Sequence, residues 1–79
     1  MMRMEYRAVL CDIEVAARIG LVTVNAYNPK EACRKAVKEV GQKLSLSPEQ
    51  AISQIDYIID AKQKRYNPAS FVSRKLPTL

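Results

Sequence analysis

The chain has 79 residues, of which 48% are hydrophobic and 6% aromatic, and it carries a formal charge of +5 at pH 7. This length allows one domain, and the hydrophobic content favours a packed aliphatic core and excludes a disordered chain. No run approaches the roughly 20 apolar residues that span a bilayer, and the N-terminal residues lack the apolar stretch of a secretory signal, so we expect a cytoplasmic protein.

Two strands are predicted in the N-terminal third. Between Met4 and Val15 apolar side chains alternate along the chain, so that one strand face carries Val9, Cys11 and Ile13. The β-branched run that follows predicts a second strand with two distinct faces. Its two sets of side chains are Val22, Val24 and Ala26 on one face and Thr23, Asn25 and Tyr27 on the other. Residues 16–20 would join the strands as a hairpin, with Gly20 providing access to positive φ.

Two helices are predicted after the strands, each with a clear start. Asn28 as N-cap and Pro29 at the first helical position predict a helix to about Lys43. Ser47 as N-cap, followed by proline and by Gln50 in a capping box, predicts a second helix. Apolar side chains at three- and four-residue spacing extend this helix to residue 65 or 66, and the Asn-Pro pair at 67–68 ends it.

These elements predict an α+β fold. Residues 1–66 would form a small two-layer ββαα domain, a β-hairpin packed on two antiparallel helices, and residues 67–79 a short extended basic C-terminal arm. The predicted core joins Val9, Cys11, Ile13, Val22 and Val24 to Ala36, Val37, Val40, Ile52, Ile55 and Ile59. Because a two-stranded sheet is marginal alone, we expect a homodimer that pairs through an edge strand.

The positive charge is concentrated near the C-terminus. Residues 1–60 sum to zero, and five bases follow Asp60 without an acid. The basic side chains at 62–65 would either interact favourably with the dipole at the C-terminal end of the second helix or contact a phosphate or an acidic partner. The apolar residues of the arm would either fold onto the core or anchor in a partner. The candidate partner-binding residues are Lys62, Lys64, Arg65, Tyr66, Phe71, Arg74 and Lys75.

The residues needed for catalysis are sparse. Histidine is absent, and two glycines cannot form a glycine-rich phosphate loop. Cys11 and Cys33 are predicted to be small buried hydrophobic residues, with a bridge between them as the lesser alternative. Asp56 and Asp60 share a helix face at four-residue spacing, where exposed carboxylates are expected. We therefore expect no enzymatic activity, no cofactor and no metal site.

Two stretches resemble DNA-binding families. Residues 15–21 resemble the first helix and turn of a bacterial helix-turn-helix, but a strand pattern follows the glycine. The stretch from Val22 to Arg65 resembles the ribbon-helix-helix family. That resemblance implies a dimer in which Thr23, Asn25 and Tyr27 face the bases of the major groove. It departs from the family in the strand that precedes the ribbon and in the lack of arginine or lysine on the base-reading face.

The leading functional hypothesis is a small non-enzymatic protein-binding modulator or inhibitor, of the size found among phage and mobile-element inhibitors. It would engage a protein partner through its basic C-terminal region. The alternative is a dimeric nucleic-acid-binding regulator that resembles ribbon-helix-helix proteins. Neither hypothesis requires a membrane.

Overall fold

The computed structural model describes residues 2–71, which form one antiparallel sheet with helices on one of its faces. The elements are β1 (Met4–Leu10), α1 (Ile13–Ile19), β2 (Val22–Ala26), α2 (Pro29–Leu44), α3 (Pro48–Gln54), β3 (Ile55–Asp60), β4 (Arg65–Tyr66) and α4 (Pro68–Phe71). The strand order is β2-β1-β3-β4, and each neighbouring pair is antiparallel. The α+β class is therefore confirmed, but the described residues contain two strands and two helices beyond the predicted ββαα layout.

The two N-terminal strands pair in antiparallel fashion as predicted, but a helix joins them. The side chain of Asp12 accepts the N–H of Glu14 at 2.8 Å, which caps α1. Gly20 ends the helix with φ +80°, a conformation that favours glycine. The first strand consequently ends at Leu10, and the strand predicted for residues 11–15 is wrong because a capped helix replaces it.

The helix α2 begins and ends as its sequence predicts. The N–H of Glu31 donates to Asn28 Oδ1, and Glu31 Oε1 accepts the N–H of Tyr27, both at 2.8 Å. Ser45 ends the helix in the left-handed conformation. The inward side chains are small, which lets the helix axis lie close to the sheet; they are Ala32, Cys33, Ala36, Val37 and Val40.

The second predicted helix is correct only as far as Gln54. Its capping box is present, with reciprocal bonds between Ser47 and Gln50. Residues 55–60 then form β3, an inner strand of the sheet between β1 and β4. Three isoleucines and a tyrosine lie in these six residues, and β-branched and aromatic side chains favour a strand. The helical prediction failed because the same isoleucine spacing also suits a helix.

The core lies between the sheet and α2. Its strand residues are Tyr6, Ala8, Val22, Val24, Ala26, Ile55 and Ile58. The prediction is confirmed for Val22, Val24, Ala36, Val37, Val40 and Ile55, and Ile52 packs against the cluster from its edge. It is wrong for Val9, Cys11, Ile13 and Ile59. The reason in β1 is register: the strand presents its even-numbered residues to the helices, and a one-residue difference exchanges the faces.

The first residues of the predicted extended arm form the short helix α4. Asn67 begins it, since its Oδ1 accepts the N–H of Ala69 at 3.0 Å. Pro68 is buried, Phe71 packs against the core, and α4 as an element contacts α2 and β3. The remaining residues of the arm, including Arg74 and Lys75, lie outside the described part of the chain.

Candidate binding surface

Among residues 2–71, the face of the sheet that points away from α2 carries no buried side chain. We call it the open face, and its residues are Glu5, Arg7, Val9, Thr23, Asn25, Tyr57, Ile59 and Arg65. The pairing register brings them together across all four strands. Arg7 stands opposite Thr23 on one side and Ile59 on the other, and Ile59 in turn stands opposite Arg65. The open face is thus one continuous surface.

The centre of the open face is apolar. Val9 stands opposite Tyr57 on the neighbouring strand, and Ile59 follows two positions later on the same face. All three side chains are only partly buried. The exposed face of an antiparallel sheet is ordinarily polar, with hydrophobic residues confined to the side that packs on the core. The apolar centre is therefore a feature that the fold itself does not require.

An apolar groove of about 530 Å³ adjoins the open face, between β1 and α1. Its apolar lining residues are Ala8, Val9, Leu10, Cys11, Ile13, Ala16 and Leu21. Ile13 is 81% exposed and Leu21 is 70% exposed. Single exposed hydrophobic residues are common, but a cluster beside an apolar sheet centre marks an interaction site on many proteins.

The basic segment between β3 and β4 is a turn held by Asp60. We call residues 61–64 the basic turn. Asp60 Oδ1 accepts the N–H groups of Lys62 and Lys64, each at 2.9 Å, and the Tyr66 hydroxyl donates to Oδ2 at 3.1 Å. The Lys64 N–H, together with the Tyr66 hydroxyl and the Lys62 N–H, holds the pKa of Asp60 below its usual value. The expectation that Asp60 is exposed is wrong, because this nearly buried carboxylate organises the turn.

The predicted partner-binding residues divide between the two sides of the sheet. Lys62 and Lys64 are exposed on the basic turn, not at a helix C-terminus as predicted. Arg65 lies on the open face, with its guanidinium carbon 4.4 Å from the ring centroid of Tyr57. Tyr66 points to the helix side, where its ring packs edge-on against those of Tyr6 and Phe71. Of the six residues at 61–66, Arg65 is therefore the one that joins the open face.

The residues of the alternative nucleic-acid hypothesis are partly brought together. Thr23 and Asn25 lie on the open face, whereas Tyr27 follows the end of β2. The guanidinium carbon of Arg3 lies over the Tyr27 ring, 5.6 Å from its centroid. The strand face that a ribbon-helix-helix dimer would share with its partner packs instead against α2 of the same chain. Because β2 pairs with β1, and β3 replaces most of the second helix, the ribbon-helix-helix layout is wrong for this chain.

Several residues of this surface were missed by the sequence analysis. Tyr57 and Ile59 were assigned to a helix, and Ile13 to the core. Arg7 and Leu21 were given no role. The strand-forming composition of residues 55–60 was the available signal, since a strand would have put Tyr57 and Ile59 on the face opposite Ile58.

No protein-family model matches this chain, and no curated protein or solved structure shows significant similarity to it. Within residues 2–71, no three histidine, cysteine, aspartate or glutamate side chains lie together in a way that could hold a metal ion. None of the helices in that range has the length and apolar character needed to cross a membrane.

Proposed function

We propose that this chain is a non-enzymatic protein-binding module that modulates or inhibits a protein partner. It docks an apolar, acid-flanked surface of that partner on the open face and the adjoining apolar groove. The observation that carries the proposal is the continuous apolar area formed by Val9, Tyr57 and Ile59 with Ile13 and Leu21. Binding of a partner to such an area is favourable, because removing apolar surface from water lowers the free energy of the complex.

The composition of the surface suits protein recognition. Interfaces commonly combine an apolar centre with a polar rim, and tyrosine and arginine are enriched among the residues that contribute most to binding. Here Tyr57 lies near the centre, and Arg7 and Arg65 lie beside it. The Arg65 guanidinium over the Tyr57 ring holds both side chains in one arrangement, which lowers the entropy lost on binding.

The charge around the surface selects the partner. Arg7 and Arg65 flank the apolar centre, and Lys62 is exposed on the adjacent basic turn, whereas Lys64 Nζ lies on the helix side, 5.7 Å from the ring centroid of Tyr66. Glu5 is acidic among the open-face residues, and Asp56, which precedes Tyr57 at the register shift of β3, is exposed as well. Complementary charge steers encounter and fixes orientation, so the partner carries carboxylates around its apolar contact area. The proposed binding surface therefore keeps part of the basic region predicted from the sequence and adds the apolar surface beside it.

The test compares capture by wild type with capture by surface variants. An immobilised chain captures proteins from the lysate of its native host, and the partner is identified, purified and titrated by calorimetry. The double variant Ile13→Ser/Leu21→Ser should weaken the dissociation constant by more than about tenfold, because two apolar contacts are lost. The control is Met2→Ser, which makes the same kind of change at a methionine that is 82% exposed and lies outside the groove.

Two results would contradict the proposal. The first is a purified partner that binds the double variant and wild type equally well. The second is self-association, measured by sedimentation, that disappears in the double variant. In that case the occupant of the surface is a second copy of this chain and not a different protein.

Nucleic-acid binding is the second candidate, favoured by a different feature of the same face. A tyrosine ring with arginines on both sides resembles the stacking platforms that bind single strands without sequence preference. Thr23 and Asn25 add hydrogen-bonding side chains at the β2 edge of the face. Fluorescence anisotropy with a single-stranded oligonucleotide should then show affinity that falls steeply with salt and is lost in Tyr57→Ala. Undetectable binding at low salt would exclude this candidate.

A further inference from the structure

We infer that the outer edge of β2 is a second docking site, which binds an extended acidic peptide segment of a protein partner as a fifth strand of the sheet. Strand addition uses main-chain hydrogen bonds along an exposed sheet edge, with side-chain contacts on either side. The site is separate from the apolar groove, and it does not depend on the proposed function of the open face.

The outer main-chain groups of β2 pair with no other described strand, although the oxygen of Asn25 accepts a hydrogen bond from Lys35 that an added strand would have to displace. β2 is the terminal strand of the sheet order and pairs with β1 alone among the described strands. Lys35 Nζ donates to the main-chain oxygen of Asn25 at 2.8 Å, which shows that this carbonyl is directed away from β1. Residues two apart in a strand direct their main-chain groups the same way, so the N–H and C=O of Thr23 also face outward.

A groove of about 350 Å³ runs along this edge. Arg3, which precedes β1, lines it together with Thr23, Val24 and Asn25 of β2, and Lys35, Lys38, Glu39 and Gln42 line it from α2. An added strand in this groove would lie between side chains of the sheet and side chains of the helix. The main-chain donors and acceptors of Thr23 would lie along its length.

The charge of the groove selects an acidic occupant. Of its charged side chains, Lys35 contacts Glu31 at 3.6 Å, and Glu39 contacts Lys43 at 3.8 Å. Neither of these ion pairs within residues 2–71 includes Lys38, and Arg3 adds a further positive charge at the end of the groove. The groove is therefore positive, and an extended segment with carboxylates at alternate positions complements it.

A second copy of this chain fits the edge less well. A two-fold pairing of β2 with itself would bring the two α2 helices side by side, because each helix packs beneath its own β2. Lys35 and Lys38 of both copies would then approach each other across the axis. Like charges at an interface oppose association, so the groove disfavours the homodimer and favours an acidic strand.

The test uses two synthetic peptides of about ten residues, long enough for one strand. One alternates glutamate with valine and threonine, and the matched peptide has lysine in place of glutamate. Titration of the full ¹⁵N-labelled chain at low salt should show amide shifts along β2 and slower exchange of the Thr23 and Asn25 N–H groups. The glutamate peptide should bind at least about fivefold more tightly than the lysine peptide.

Paired variants separate the edge from other surfaces. Thr23→Pro removes an outward N–H and should weaken binding of the glutamate peptide about threefold to tenfold. Thr23→Val keeps the N–H and should leave this binding unchanged. Lys38→Glu should weaken it about fivefold, and Arg34→Glu, on the same helix outside the groove, should leave it unchanged. The Lys38 and Arg34 pair decides the question if the proline variant does not fold.

The Ile13→Ser/Leu21→Ser variant should still bind the peptide, so failure of the apolar surface and failure of the edge are distinguishable. Equal binding of the two peptides would overturn the inference. Shifts confined to Tyr57 and Ile59 would do the same, because they would move the contact to the open face. Dimerisation of the unliganded chain through β2 would identify a second copy as the occupant and would also overturn it.

Discussion

Both faces of the sheet carry apolar side chains. Within residues 2–71, the helices cover one of these faces and not the other. On the helix side, the strand residues at the centre of the sheet are buried beneath α2. On the open face, Val9, Tyr57 and Ile59 are also apolar, yet each stays partly exposed. β3 shows the contrast within three residues, since Ile58 is fully buried between two partly exposed neighbours. In the described part of the chain, the helices therefore cover one apolar face of the sheet and leave the other partly exposed.

The two cysteines give the largest expected contrast between covered and exposed positions. Cys33 lies on the inward side of α2, where burial raises the pKa of its thiol to about 11, whereas Cys11 is exposed. Cys11 should react with a thiol reagent at the rate of a free thiol. Cys33 should react at least about a thousandfold more slowly, because it must wait for unfolding. Absorbance with a disulfide reagent measures both rates, and fast reaction of both thiols would contradict the core.

Neighbouring isoleucines in β3 test the two faces by stability. Ile58→Ala should lower the free energy of unfolding by about 2 to 5 kcal/mol, because it leaves a cavity in the core. Ile59→Ala removes the same atoms from the open face and should cost less than about 1 kcal/mol. Urea denaturation followed by circular dichroism measures both. Equal losses would mean that residues 55–60 do not form a strand with one covered face.

Substitution of Asp60 tests how much its hydrogen bonds to the basic turn stabilise the fold. Asp60→Ala should lower Tm by roughly 5 to 10 °C at pH 7, since three hydrogen bonds are lost; Asp56→Ala, at an exposed position, is the control.

The pH dependence of this effect has a definite sign. Because the folded-state pKa of Asp60 is lowered, its stabilisation is present above the unfolded pKa of about 4 and is lost as pH falls through the folded value. The Tm difference between wild type and Asp60→Ala should therefore shrink between pH 7 and pH 3. A difference that does not change with pH would contradict the role of the ionised carboxylate.

The exposed groove residues should give the smallest effect on stability. Ile13→Ser/Leu21→Ser should change the free energy of unfolding by no more than about 0.5 kcal/mol, because neither side chain is buried by the fold. Denaturation of the double variant beside wild type provides the measurement. A large loss of stability would show that these residues belong to the core. Weaker binding by this variant would then result from unfolding and not from the loss of surface contacts.

Local signals explain which parts of the fold could be predicted from the sequence. Asn28 and Ser47 fix helix starts through side-chain bonds to N–H groups three residues later, and Pro29 has the φ of a first helical position, so α2 and the start of α3 were predicted correctly. β3 was missed because its isoleucines suit a helix as well as a strand, and its pairing with β1 is non-local. The face of β1 was misassigned because both of its faces contain apolar residues, so alternation alone could not choose between them.

The candidate surface was predicted in part for the same reasons. Composition alone located the cluster of bases after Asp60, and Arg65 does join the open face. The way Asp60 holds the basic turn depends on a strand end that was read as helix. The apolar centre depends on the register between β1 and β3, which a single sequence does not encode locally.

Chemical-shift mapping of the chain bound to its purified partner locates the binding surface residue by residue. The largest amide shift changes should fall on Val9, Tyr57 and Ile59 and extend to Leu21 beside the apolar groove. Changes confined to the outward side of α2, around Arg34, with Tyr57 unaffected, would show that the partner does not bind the open face.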